Sequence, residues 1–446
     1  MLNEKMKFKK AFISILGTNN YLECRHSFKG EVKDNIIKKY VQEDLVHMLC
    51  REWDENSEIR IFLTDDAKKK NWLNDGHKDR SGNTIENMGL KKRLELLNIK
   101  ARIIPFEIPI GNDEKEVWEI FNIIHNSFSQ GEEIYVDITH AFRYLPMLLT
   151  ILLNYSKLTK EITVKGIFYA SFESLGTISE VENIPTKDRI VPIIDFSSFT
   201  KLQDWSLATY DYFTNANTNE LNKLIKAESL LYKSSDARNH KESLLLREVV
   251  TELENLSNYL AFCRGKELFN KDIAAVIDKL KKVKEINNIV PMQPLFDIII
   301  SKISPLVQDD FKKVYAMVEW CKKHQLYQQA ITLLQEFIIT LVLKSLNEDY
   351  TDKRLREIVS SAFSIRQLGT PEKEWRGEAA KFPDKTYQYL NSKLLSDFTK
   401  LYGKITSIRN DINHSGFLKD ARNTKSIKGK LDSAMKLYYD YIVCKE

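Results

Sequence analysis

The chain has 446 residues, 43% of them hydrophobic and 29% charged, with only 15 glycines and 10 prolines. That balance excludes collagen-like, low-complexity and largely disordered chains, and the length suits two or three domains, with two favoured. The five cysteines form no C-x-x-C pair and the net charge is only +5, which excludes a disulfide scaffold and a CxxC-type zinc site and leaves nucleic acid weakly indicated.

The opening MLNEKMKFKK has no apolar leader core, and no apolar run approaches about 18 residues, so a cytoplasmic protein without a membrane span is expected. FISIL (12–16) reads as a buried strand ended by Gly17, and Ile36 to Cys50 has helical periodicity. EIRIFLT (58–64) is a second strand, LKKRLELLN (90–98) a short amphipathic helix and ARIIPFEIP (101–109) a third strand. Helix Val117 to Phe128, strand EEIYVDI (132–138), helix Leu145 to Leu158 and strand EITVKGIFYA (161–170) follow. Alternating strands and helices predict a mostly parallel sheet with helices on both faces. Its ligand crevice should lie beyond the carboxyl ends of the strands.

After about residue 200 the strand signal vanishes. Segments 205–233, 241–262, 270–287, 308–325, 327–347, 385–413 and 425–443 carry apolar residues at helical spacing. The predicted fold class is therefore an α/β N-terminal domain (1–200) and an all-α C-terminal domain (201–446), with 201–240 as a candidate helical linker.

Three polar clusters fall at carboxyl ends of predicted strands: GTNNY (17–21), TDDA (64–67) and DITHAFR (137–143). Gly17 permits a tight turn, while Thr18, Asn19 and Asn20 supply short hydrogen-bonding side chains. Thr139 or His140 could open the next helix, whose free amides, with His140 and Arg143, would receive an anion. The competing reading is that Asp137, Thr139 and His140 simply cap a helix and close a turn. The chain has no G-x-G-x-x-G and no G-x-x-x-x-G-K-[ST], so a dinucleotide fingerprint and a P-loop are excluded. Asp137 with His140 lacks a third metal ligand in sequence, so no metal is expected. Cys24, near the first-strand loop, is set aside as a nucleophile on the reading that no base stands beside it in sequence.

Near the end, SIRNDINHSG (407–416) holds Arg409 and His414 with four residues between them. With seventeen arginines and eight histidines, and four to six intervening residues all counted as a match, about one such pair is expected by chance, so context must carry the pair. The helical stretch stops here, at poor helix formers closed by Ser415–Gly416. Positions five apart diverge by roughly 140° on a regular helix. The two side chains therefore meet one phosphate only if the helix loosens at 410–413 or two copies face each other. An imidazole that exchanges protons near neutrality and a guanidinium that grips phosphate suit metal-free RNA cleavage by the 2′-hydroxyl. Downstream, Arg422, Lys425 and Lys428 lie in a basic strip fit for a phosphate backbone, or for a solvated helix face.

GTNNY, FLTDDA, DITHAFR and IIDF (193–196) followed by Trp205 together resemble the CARF sensor domains of type III CRISPR ancillary proteins. The helical half with R-N-x-x-x-H resembles the HEPN ribonucleases. The resemblance implies a homodimer that binds cyclic oligoadenylate, with cyclic tetra-adenylate the commoner ring, and then cuts single-stranded RNA without a cofactor. The ligand would contact Gly17, Thr18, Asn19, Asn20, Tyr21, Thr64, Asp65, Thr139, His140 and Arg143. Arg409 and His414 of both copies would form the ribonuclease site, supported by Asn410, and leave a 2′,3′-cyclic phosphate and a 5′-hydroxyl. Arg422, Lys425 and Lys428 would bind RNA. Ala141 stands where many members of the family have glycine. The alternatives are a sensor without ribonuclease activity, or a domain that degrades its own cyclic activator.

Overall fold

The computed structural model describes residues 9–32, 36–73, 76–78, 81–85, 88–140, 144–231, 237–285, 293–417 and 419–443. The chain divides into two compact units, Met1–Lys201 and Leu202–Glu446.

The first unit is built on a seven-stranded sheet of β1 (Lys10–Leu16), β2 (Arg25–Phe28), β3 (Glu58–Leu63), β4 (Arg102–Glu107), β5 (Glu133–Asp137), β6 (Thr163–Ala170) and β7 (Ile190–Asp195). Their order is β2-β7-β6-β5-β1-β3-β4, and only the β6–β7 pair is antiparallel. Alternation along β1 explains why the sheet needs cover on both sides. Phe12 and Leu16 join one apolar core with α1 (Val41–Cys50) and α2 (Leu90–Leu96). Ala11, Ile13 and Ile15 join another with α3 (Glu114–Ser127) and α4 (Leu145–Thr159).

Strand β1 lies between β5 and β3, both parallel to it, with Ser14 opposite Asp137 and Leu16 opposite Leu63. The chain therefore leaves β1, β3 and β5 at one edge. Because the strand order reverses at β1, this edge is a topological switch point, where crossover helices diverge and leave a crevice.

The second unit is helical. The elements needed below are α5 (Ser197–Asn215), α6 (Asp310–Lys323), α7 (Tyr327–Ser345), α8 (Lys353–Leu368), α9 (Lys393–Asn413) and α10 (Thr424–Val443). Helix α9 buries Leu394, Leu395, Phe398, Leu401, Tyr402, Ile405 and Ile408, a three- and four-residue repeat, against α7, α8 and α10. Ser392 caps its start, and Ser415 (φ 53°) with Gly416 (φ 74°) turns left-handed just after its end.

Several sequence expectations are corrected. The segment 205–233 is two helices, α5 and Asn219–Leu231, broken where Ala216 takes φ 56°. Helix 385–413 is likewise split into Pro383–Leu390 and α9. The helix expected from Ile36 begins at Val41, because Lys38 pairs its backbone with Cys24 instead. Strands β2 and β7 were not anticipated.

Candidate functional site

The loops after β1 and β5 meet in a cavity of about 180 Å³. Its lining includes Asn19, Asn20, Tyr21, Thr139 and His140 from the two sequence clusters, together with Cys24, His26 and Lys39. Gly17 sits where a side chain would crowd its neighbours: a Cβ there would lie 2.4 Å from the Tyr21 hydroxyl and 3.2 Å from the His140 carbonyl. Tyr21 in turn lies against the His140 ring, with centroids 4.1 Å apart.

The β5 turn is built from one carboxylate. Asp137, buried, accepts from the Ser14 hydroxyl at 2.7 Å, the Thr139 amide at 2.9 Å and the Thr139 hydroxyl at 2.6 Å. Burial raises its pKa, and these donors oppose the rise. Thr139 Oγ1 also accepts from the Ala170 amide at 2.9 Å. Thr139 therefore closes a turn and ties it to β6; it does not cap the next helix, which starts at Leu145. Arg143 lies outside the described residues.

The charges differ from the sequence expectation. Burial, with the positive charge of His26 adding to it, lowers the His140 pKa to about 3, so its ring is neutral at physiological pH. At His26 burial works in the same direction but is outweighed: Asp44 Oδ2 lies 2.6 Å from Nδ1 and Cys24 Sγ 3.6 Å from Nε2, and its pKa rises to about 9. Lys38 holds the other Asp44 oxygen at 2.5 Å. The cationic imidazole of this cavity is thus His26, which sequence reasoning passed over. Cys24, set aside in sequence as a nucleophile, has its Sγ within reach of this imidazole two residues further along the chain.

Asn71 was also missed. Fully buried, it donates to the Gly17 carbonyl at 2.8 Å and the Asn19 carbonyl at 2.9 Å, which pins the first loop. Its amide oxygen pairs with Tyr40 at 3.3 Å and His77 at 2.9 Å. Of the remaining candidates, Thr64 is buried and caps the Ala67 amide, while Asp65 is exposed and pairs with Lys69. Thr18, Thr64 and Asp65 are not among the residues lining this cavity.

In the helical unit, Arg409 is held from α7: its Nη1 lies 2.8 Å from Gln335 Oε1 and 3.3 Å from Glu336 Oε1. Its buried Nε has no partner among the described residues. Asn410 and His414 are exposed, and the His414 amide donates to the Asn410 carbonyl at 3.1 Å. Helix α9 runs regularly through Asn413, so the loosening that would let Arg409 and His414 converge within one copy does not occur. Arg422 is part-buried. It donates to Asp411 through its amide (2.9 Å) and Nη1 (3.2 Å), and to Ser407 Oγ (2.7 Å), which ties the 414–423 connection to α9. Lys425 is exposed, and Lys428 sits 4.6 Å from the centre of the Tyr327 ring.

The helical unit also has a larger cavity, about 870 Å³, where Lys302 Nζ lies 5.0 Å from the ring centres of Tyr212, Phe213 and Trp320 and 2.6 Å from His324 Nε2. Burial, then Lys323, lowers the Lys302 pKa to about 7. None of the sequence candidates lies there. Among the described residues no group of three or more His, Cys, Asp or Glu side chains is arranged to hold a metal, and no helix is long and apolar enough to cross a membrane.

A doubly wound sheet whose switch-point loops meet at a cavity has the layout of a ligand-binding α/β module. Residues 11–173 match the family described as CRISPR system endoribonuclease Csx1, CARF domain. The N-terminal unit is thus a CARF domain, a CRISPR-linked sensing module. The chain is 26% identical over 191 residues to CRISPR-associated protein MJ1674 of Methanocaldococcus jannaschii, covering 41% of this chain and 28% of that protein.

Proposed function

We propose that the chain is a homodimeric endoribonuclease of CRISPR defence, switched on by a cyclic oligoadenylate, with cyclic tetra-adenylate the first choice. One observation carries the reading: both loops picked out by sequence meet in a single cavity at the carboxyl edge of a CARF sheet. A cavity of about 180 Å³ is smaller than the roughly 300–1,000 Å³ of sites that enclose a drug-sized ligand. A cyclic tetranucleotide is larger still, so this pocket takes one part of the ring and a second copy takes the opposite part.

The same two-fold logic applies to α9. Arg409 and His414 diverge around a regular helix, and a facing copy supplies the complementary pair. Arg409, steadied by Gln335 and Glu336, grips the scissile phosphate, while His414 exchanges the proton of the 2′-hydroxyl or of the leaving oxygen. Asn410 supports the phosphate through its amide. Products are a 2′,3′-cyclic phosphate and a 5′-hydroxyl, and no cofactor takes part. Lys425 and Lys428, both exposed and the latter against the Tyr327 ring, face RNA, whereas Arg422 contributes mainly by holding the connection in place. Ligand binding shifts the ribonuclease only by its differential affinity for the active arrangement.

The test is calorimetric titration with cyclic tetra-adenylate, combined with light scattering. One ring per two chains is expected; no binding, or one ring per monomer, contradicts the reading. A second reading, a sensor without ribonuclease activity, draws on the ties of Arg409 to α7, which would also suit a structural arginine.

A further inference from the structure

The residues Cys24, His26 and Asp44 have a geometry that the sensing role does not require. Cys24 Sγ lies 3.6 Å from His26 Nε2, and His26 Nδ1 lies 2.6 Å from Asp44 Oδ2. This is the order thiol, imidazole, carboxylate, in which the third group fixes the tautomer and aim of the second. The parts are rigidly placed. Cys24 and Lys38 exchange two backbone hydrogen bonds, of 3.0 and 2.9 Å, and Lys38 anchors the far oxygen of Asp44. The thiol is otherwise buried, yet it lines the same cavity as Tyr21 and His140. At about 180 Å³ the cavity admits several water-sized molecules of roughly 30 Å³ each.

We propose that Cys24 is a modification site of the CARF unit, a thiol served by the His26–Asp44 pair and oxidised by a small hydroperoxide entering the cavity. Sulfur attacks the terminal peroxide oxygen, an S–O bond forms and the O–O bond breaks. The cationic His26 gives its Nε2 proton to the departing alkoxide and takes the sulfur's proton in its place, so its charge is unchanged. The thiol and ROOH become a sulfenic acid and ROH, sulfur losing two electrons and the peroxide gaining them. An exogenous thiol restores the starting state. The added oxygen sits beside His26 in the cavity and changes its lining. None of this depends on which ligand the cavity binds.

The experiment treats the full-length chain with hydrogen peroxide at neutral pH, traps sulfenic acid with dimedone and locates the adduct by peptide mass spectrometry. Cys50 and Cys321, both buried, serve as internal references. The adduct is expected at Cys24 well ahead of both, absent in Cys24→Ser, and slowed on the order of 100-fold in His26→Gln, the lower range for loss of a proton-transferring group. Equal labelling of Cys24, Cys50 and Cys321 in the wild type overturns the proposal. So does an unchanged rate at Cys24 in a His26→Gln variant whose circular dichroism is native. If that variant does not fold, the wild-type contrast among the three cysteines decides.

Discussion

Replacing Asn71 with alanine probes how the sensing loop is held. The side chain is fully buried, and its two donors end on the carbonyls of Gly17 and Asn19 while its oxygen pairs with Tyr40 and His77. Truncation removes these bonds and strands buried groups, each worth about 1 kcal/mol net and more when left unsatisfied, so a loss of about 2–4 kcal/mol is expected. In a unit of this size each 1 kcal/mol moves the melting temperature by roughly 2–4 °C. Freed from its anchor, the 17–21 loop must also be ordered when ligand binds. Affinity then falls by about tenfold for every 1.4 kcal/mol of ordering cost. The Asn71→Asp variant keeps the acceptor for Tyr40 and His77 but sets an oxygen against two carbonyls, and should weaken binding at least as much. Thermal melts and titration with cyclic tetra-adenylate read both effects. An Asn71→Ala protein with unchanged melting temperature and unchanged affinity would refute the reasoning.

Further expectations follow from the same contacts. The His26 pKa is raised from 6.5 to about 9, so its stabilising contribution is complete below pH 6.5 and fades as pH rises towards 9, by about 3 kcal/mol at most. Denaturant titrations across that range should show the wild type losing its advantage over His26→Gln. In Gly17→Ala the new Cβ lies 2.4 Å from the Tyr21 hydroxyl. An overpacking cost of about 1–3 kcal/mol and weaker ligand binding should follow, read by melting and titration. His414→Ala changes an exposed residue and should alter stability by less than about 0.5 kcal/mol, measured by denaturant unfolding. Arg422→Ala leaves the buried Asp411 short of its partner and should cost about 1–3 kcal/mol, whereas Lys425→Ala should lower only RNA affinity and its salt slope.

Much of the sheet was legible because β1, β3 and β5 carry clustered apolar and β-branched or aromatic residues bounded by polar turns. The edge position of GTNNY and DITHAFR followed from the crossover rule alone. Strand β2 was hidden because RHSF is four residues long and largely polar; its pairing with β7 is a tertiary event that no local pattern announces. Pro192 similarly disguised β7. The His26–Asp44 contact spans 18 positions and the Asn71–Gly17 contact 54, so both pairs become neighbours only once α1 and the helical turn after β3 fold over the sheet. In the helical half, the periodicity of α9 placed Arg409 and His414 at its carboxyl end. The grip of Gln335 and Glu336 on Arg409 comes from a separate helix and was invisible in sequence.

The most direct measurement is cleavage of labelled single-stranded RNA in EDTA, with and without cyclic tetra-adenylate, by the wild type and by His414→Ala. The account predicts ligand-stimulated, EDTA-resistant cutting to 2′,3′-cyclic phosphate ends in the wild type and none in the variant. Cutting that persists in His414→Ala, or RNA left intact at saturating ligand, would contradict it.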